Sequence, residues 1–248
     1  MSLMSFFCFL ALMIVIMFLG EYAEPGIYAS SFWHYPCYWL AYYYGTVELK
    51  IFKLDAVVMK TIALVILGYL YLNFPLDYLS LSVVAAGFLL NIRAFSKLGP
   101  ERTYYGYELA DMPSKVITGF PYSWIPHPML TGNILAYAGT LINDGFRQQW
   151  WPLAVSHIAL NFSLIFMETR ITFKRRSPGL ICSNKTYRGR MLAGGVVMLL
   201  GALAGGVLGM LGTGKSLIWV APVTGALIAC HAFVMFLCYS GQLRNKEA

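Results

Sequence analysis

Apolar segments approaching bilayer-crossing length recur along the chain, at residues 3–20, 56–74, 76–96, 128–143, 149–168, 190–212 and 217–240. A spanning helix needs about 20 predominantly apolar residues, because in hydrocarbon every backbone N–H and C=O must be satisfied within its own segment. The runs are continuous, whereas a membrane β-barrel would alternate polar and apolar residues. Composition agrees: 58% of the 248 residues are hydrophobic and 12% charged, where a soluble domain carries about 25% charged residues. The pattern predicts an all-α fold, a polytopic integral membrane helical bundle of about seven spans.

The net charge of +7 would suit a nucleic-acid partner, but its placement does not. The positive residues crowd beside the spans and suit an anionic lipid surface. The 169–190 loop carries Arg170, Lys174, Arg175, Arg176, Lys185, Arg188 and Arg190, and the 93–127 segment carries Arg93, Lys97, Arg102 and Lys115. Arg244 and Lys246 lie in the tail, whereas the opposite loops hold Arg147 and Lys215. The positive-inside rule then puts 21–55, 97–127, 169–190 and the C-terminus in the cytoplasm and the N-terminus outside. Asn184 begins a glycosylation sequon in a loop read as cytoplasmic, so a native glycan there would reverse this orientation.

The chain divides into an N-terminal part (1–55), a core (56–190) and a C-terminal helical hairpin (191–248). The 3–20 run lacks a basic start and a small-residue cleavage site, so it reads as a retained helix. The aromatic stretch at 31–46, interrupted by Pro36, reads as a headgroup-level segment. Cys8, Cys37, Cys182, Cys230 and Cys238 show neither a metal-ligand spacing nor a disulfide pattern. "GMLGTGKS" (Gly209–Ser216) fits the phosphate-loop pattern by letter. It lacks the preceding strand and the nearby Asp that the pattern's chemistry requires. Gly201, Gly205 and Gly209 instead form a small-residue face for helix packing, with a turn after it.

Polar groups at membrane depth are costly and are functional candidates. His157, Asn161 and Glu168 lie within about 40° of one another on one helical face. For His157 the plain alternative is a hydrogen-bonded packing residue; for Glu168 it is an ion pair with Arg170 or the basic loop. Upstream, "FPYSWIPHPMLTGN" (120–133) places Pro128 at the first turn of a helix, where its missing N–H costs nothing. His127 then falls at or before the cap, beside the positive end of the helix. Gly132, Ala136 and Gly139 give that helix a small face that would admit either a neighbouring helix or a flat ligand. Together these residues indicate a polar ligand site at the cytoplasmic membrane boundary.

The ordered set "LG…YYG", "GFPY…HPM…G" and a Glu closing the next long helix resembles the phospholipid N-methyltransferases over about residues 56–180. These enzymes methylate phosphatidylethanolamine towards phosphatidylcholine, and they share a core of four spans with the isoprenylcysteine carboxyl methyltransferases. His127, Pro128 and Gly132 match the cofactor motif; Pro126 and Leu130 stand where the wider family has Arg and Tyr. Glu168 matches the second of a glutamate pair and Met167 fills the first place. Gly99 and Gly106 match the upstream motif, in which Arg102 replaces a Gly.

The resemblance implies S-adenosylmethionine as cofactor, bound by Gly99, Tyr105, Gly106, His127, Pro128, Gly132 and Glu168. It implies a phospholipid substrate whose phosphate lies near Arg102, Lys115 or the 174–176 basic run, with Tyr122 also at the substrate. His127, Glu108 and Asp111 are the candidates for removing a proton from the reacting amine. No metal is implied. Membrane lipids are the remaining partners, and a homo-oligomer or membrane complex stays open. Two alternatives also stay open: methylation of another lipid or small acceptor, and a non-catalytic membrane subunit that retains the fold, the latter motivated by Met167 and Arg102.

Overall fold

A computed structural model describes residues 49–106, 110, 112–113, 116–170 and 200, together with residues 27, 28, 31, 32, 34, 35 and 38. The expectations for 3–20, 190–212, 217–240, the basic loop beyond 170, Asn184, the glycine-rich 201–216 stretch and all the cysteines fall outside these residues.

The described chain is helical, with no strand among the described residues. Five helices carry it: α1 (Leu49–Leu72), α2 (Tyr78–Leu98), α3 (Pro100–Thr103), α4 (Pro128–Thr140) and α5 (Asp144–Arg170). Two stretches, Phe52–Leu72 in α1 and Tyr78–Leu98 in α2, are long and apolar enough to cross a membrane. A core helix of a soluble protein would bury its apolar residues, yet α2 leaves Leu79, Leu81, Leu89 and Ile92 exposed, and α1 leaves Leu54, Val65 and Leu72 exposed. Hydrocarbon is the solvent such faces fit, consistent with a membrane protein.

Local chemistry sets the helix ends. Pro75 breaks the chain after α1, and Asp77 caps α2 by accepting from the N–H groups of Leu79 at 2.9 Å and Ser80 at 3.0 Å. Gly99, at φ 82°, ends α2, and Pro100 begins α3 at once. Asn143 ends the turn after α4: its Oδ1 accepts from Phe146 N–H at 3.1 Å and its Nδ2 donates to the Pro75 carbonyl at 2.8 Å.

That turn corrects two expected spans. The 128–143 run forms a helix of only 13 residues, about 20 Å long at about 1.5 Å per residue and short of a ~30 Å hydrocarbon core. The 149–168 run begins earlier, because Asn143 caps the chain and α5 extends from Asp144 to Arg170. At the other end, α1 starts at Leu49 rather than at residue 56, where Lys53 pairs with Glu101 of α3. Lys53, absent from an apolar-run reading, is satisfied by this tertiary contact.

α2 and α4 pack backbone to backbone. A Cβ at Gly87 would lie 2.6 Å from the Gly132 carbonyl oxygen and 2.5 Å from the Ala136 nitrogen. A Cβ at Gly139 would lie 2.8 Å from the Val84 nitrogen. The small face of α4 is therefore occupied by α2, a neighbouring helix. Because the opposing atoms are backbone, no rotamer change relieves a larger side chain here. Gly87→Val is expected to lower stability by about 3 kcal/mol, at the upper end for overpacking, read as a lower unfolding midpoint in detergent. A midpoint equal to wild type would refute this close contact.

α5 lies against α4, and the aromatic N-terminal stretch packs onto both. Tyr28, Phe32 and Tyr35 are buried with Tyr137, Trp150 and His157. The His157 ring stacks on Tyr137 at 4.1 Å and 5°. The aromatic content suggested a headgroup-level segment, but these side chains pack inside the protein and complete the core.

Candidate active site

The loop ahead of α4 is a compact proline turn, closed by Trp124 and Ile125 N–H groups donating to the Pro121 carbonyl. It delivers His127 as the residue before Pro128, and Pro128 starts α4 as its spacing predicts. His127 takes a left-handed backbone, φ 50° and ψ 53°, and its side chain makes no cap hydrogen bond. Tyr105 also has a positive φ, 60°. Among the described residues these are the non-glycine positions with positive φ. Such backbone costs on the order of 1 kcal/mol or more and persists where its surroundings enforce it, often at functional sites.

Both strained residues reach the same carboxylate. His127 Nδ1 lies 2.7 Å from Glu168 Oε2, and Tyr105 donates its hydroxyl to Oε1 at 3.4 Å. Phe52 stacks on the Tyr105 ring at 5.8 Å and 7°, and Tyr38 meets it edge-on at 5.7 Å, which fixes the ring while its hydroxyl faces Glu168. Glu168 stands in the last turn of α5, where the helix dipole disfavours a negative charge. His127 offsets this cost by hydrogen-bonding the carboxylate. Accordingly its pKa is raised above the usual histidine value, first by the hydrogen bond to Glu168 and then by that residue's charge, against an opposing effect of partial burial. Tyr122 is pushed up to about 12 by burial and by the Glu168 charge, so it remains a neutral hydroxyl at physiological pH.

These groups line a cavity of about 270 Å³, close to the smaller of the volumes usual for ligand sites, roughly 300–1,000 Å³. Arg102, Tyr105, Tyr122, His127, Pro128 and Glu168, all expected from the sequence, are brought together there. Arg102 also donates Nη1 to the Pro113 carbonyl at 2.7 Å. Gly99, Gly106 and Gly132 are not among the lining residues. Gly99 turns the chain between α2 and α3, Gly106 sits where a Cβ would come 2.6 Å from the Glu101 carbonyl oxygen, and Gly132 faces Gly87. Glu108, Asp111 and Lys115 fall outside the described residues, as does the Met167 side chain.

The inner wall was only partly foreseen. Asn91 donates to Asn133 Oδ1 at 2.7 Å, Asn133 donates to Asn161 Oδ1 at 3.2 Å, and Asn161 donates to the Tyr35 hydroxyl at 2.7 Å. The Tyr35 hydroxyl meets His157 Nδ1 at 2.9 Å. This chain of hydrogen bonds links α2, α4, α5 and the N-terminal stretch. His157 is thus a packed, hydrogen-bonded residue, the plainer of its two sequence readings. Asn91, Asn133, Tyr35 and Lys60 were missed, although the rule that flagged Asn161, a polar side chain inside an apolar run, flags Asn91, Asn133 and Lys60 equally. His34 also lines the cavity, and its Nδ1 is buried without a hydrogen-bond partner among the described residues.

Residues 76–175 match the family model for phospholipid methyltransferases. The matched range contains Arg102, Tyr105, Tyr122, His127 and Glu168, and it excludes His34, Tyr35 and Lys60. No curated protein and no solved structure matches the chain significantly.

Proposed function

From a phospholipid methyltransferase domain at residues 76–175, we propose that this protein transfers methyl groups from S-adenosylmethionine to the amine of phosphatidylethanolamine or of its mono- and dimethyl derivatives. The supporting observation is the convergence of two strained residues, Tyr105 and His127, on Glu168 inside one polar cavity. The lining fits the cofactor: it offers a carboxylate, neutral hydroxyls, asparagine amides and His34 Nδ1, which has no hydrogen-bond partner among the described residues. Glu168, Tyr105, His34 and Asn133 would hold it. When bound, S-adenosylmethionine supplies an electrophilic methyl group carried on a positively charged sulfur.

The residues of this chain then have defined tasks. Glu168 places negative charge in a cavity that must receive cationic partners. The cavity walls align the reactants, an effect worth up to several kcal/mol in such transfers. The attacking amine must be neutral, so a proton has to leave it. With Nδ1–H donated to Glu168, a neutral His127 presents Nε2 as the acceptor. Glu108 and Asp111 are the other proposed bases.

In this reading the chain is a polytopic protein of the endoplasmic reticulum membrane with its C-terminus in the cytoplasm. The core helices α1, α2, α4 and α5 carry the site at the cytoplasmic boundary. Purified protein given labelled S-adenosylmethionine and phosphatidylethanolamine, or the monomethyl or dimethyl lipid, is expected to yield labelled lipid. Cofactor binding without transfer to any of these lipids would overturn the acceptor. No cofactor binding would overturn the enzyme assignment itself.

A further inference from the structure

Lys60 lies on α1 inside the candidate span Phe52–Leu72, eight residues beyond its start and thus about 12 Å along the helix at about 1.5 Å per residue. Among the described residues its ammonium has no hydrogen bond and no ion pair. Among the described residues, Glu101 is paired with Lys53 and Glu168 with His127. A cation at membrane depth is costly unless it meets an anion, and such residues mark substrate paths.

Two cavities meet at this residue. Lys60 lines the polar cavity that holds His127 and Glu168. It also lines a second cavity of about 470 Å³ between α1, α2 and α4, walled by Leu64, Leu67, Leu81, Val84 and Phe88. Asn133 is the other residue common to both. The order of environments is therefore an apolar groove, a cation, and a polar chamber with a carboxylate. A phospholipid amine has the same order: an acyl chain, a phosphate, and a cationic headgroup.

We propose that Lys60 binds the phosphate of the phospholipid substrate, with an acyl chain in the apolar groove and the headgroup amine directed towards His127 and Glu168. The inference rests on the methyltransferase reading and assigns its lipid subsite. Arg102 lines only the polar cavity among these two and spends a guanidinium N–H on the Pro113 carbonyl. The cofactor carboxylate is the other anion a lysine here would suit, but it carries no chain for the groove.

The full-length protein in detergent, mixed with phosphatidylethanolamine bearing a photoreactive acyl chain, tests this directly. Labelling is expected on α1 and α2. Lys60→Met is expected to reduce it about tenfold, the loss of one charge-assisted hydrogen bond, and Lys60→Arg to restore most of it. Gly68 also lines the groove, and a Cβ there meets nothing within 4 Å. Gly68→Leu should therefore block labelling by filling the groove. A diacyl amine without phosphate should label wild type and Lys60→Met equally. Calorimetry with S-adenosylmethionine should give the same affinity for wild type, Lys60→Met and Gly68→Leu.

Equal labelling of wild type and Lys60→Met overturns the inference. So does loss of S-adenosylmethionine affinity in Lys60→Met with lipid labelling intact, which would give the lysine to the cofactor. Absent groove labelling in wild type overturns it as well. Lysine-dependent labelling without any methyl transfer would uphold the lipid site and overturn the methyltransferase reading instead.

Discussion

Glu168→Gln is expected to weaken S-adenosylmethionine binding by about tenfold to a hundredfold. A hydrogen bond to a charged group is worth about 1.5–3 kcal/mol, and each 1.4 kcal/mol is about tenfold in affinity. Methyl transfer should fall further, because the same substitution removes the partner that orients His127. The pH dependence gives a second, independent reading. Glu168 raises the His127 pKa above the usual value. If neutral His127 accepts the proton of the amine, wild-type activity falls as pH drops through that raised value. Glu168→Gln removes the cause, so the acidic limb moves to lower pH. For stability the sign is opposite: a raised folded pKa makes the pair stabilising below the ordinary histidine range, and this is lost as pH rises through the folded value. Since both side chains keep 25% of their exposure, the unfolding midpoint of Glu168→Gln at pH 8 should stay near wild type. An unchanged cofactor affinity in a folded Glu168→Gln protein would remove Glu168 from the site.

The second large effect is on the fold. Asn161 is 1% exposed. It donates to the Tyr35 hydroxyl at 2.7 Å and to the His157 carbonyl at 2.8 Å, and it accepts from Asn133 at 3.2 Å. Asn161→Leu keeps the volume but strips Tyr35 of a donor and Asn133 of its acceptor. Leaving such groups unsatisfied costs about 1–3 kcal/mol each, so a loss of about 3 kcal/mol is expected. For a chain of this size that lowers the unfolding midpoint by about 6 °C or more. Tyr35→Phe should cost less, about 1 kcal/mol, because Asn161 keeps its other partners. An Asn161→Leu midpoint equal to wild type would show that the asparagine chain does not hold the helices together.

The site was legible where its chemistry is local. Proline at the first helical position needs no partner for a missing N–H, so Pro128 marks the start of α4 and fixes His127 before it. Glu168 stood out because a carboxylate beside an apolar run requires a partner. That partner was not legible. The sequence suited a pairing with the basic loop equally well, and it is the packing of α5 on α4 that brings the carboxylate 2.7 Å from His127. Gly132 shows the same limit from the other side. A small residue permits close approach, but its sequence cannot say whether a ligand or a helix approaches, and here it is Gly87 of α2.

Sequence alone determined an all-helical, membrane-suited chain, the start of α4 and the candidate status of His127 and Glu168. Each follows from the residue itself or from near neighbours: hydrophobic length, a missing N–H, an ionisable group in apolar surroundings. Tertiary structure decided the rest. It shortened α4, because Asn143 turns the chain by bonding Pro75 far upstream. It drew Tyr35 from an aromatic segment into the asparagine chain, and it put Lys60 at the meeting of two cavities. These are pairings across tens of residues. Their partners are selected by shape and by the cost of leaving polar groups unpaired, neither of which is written at any single position.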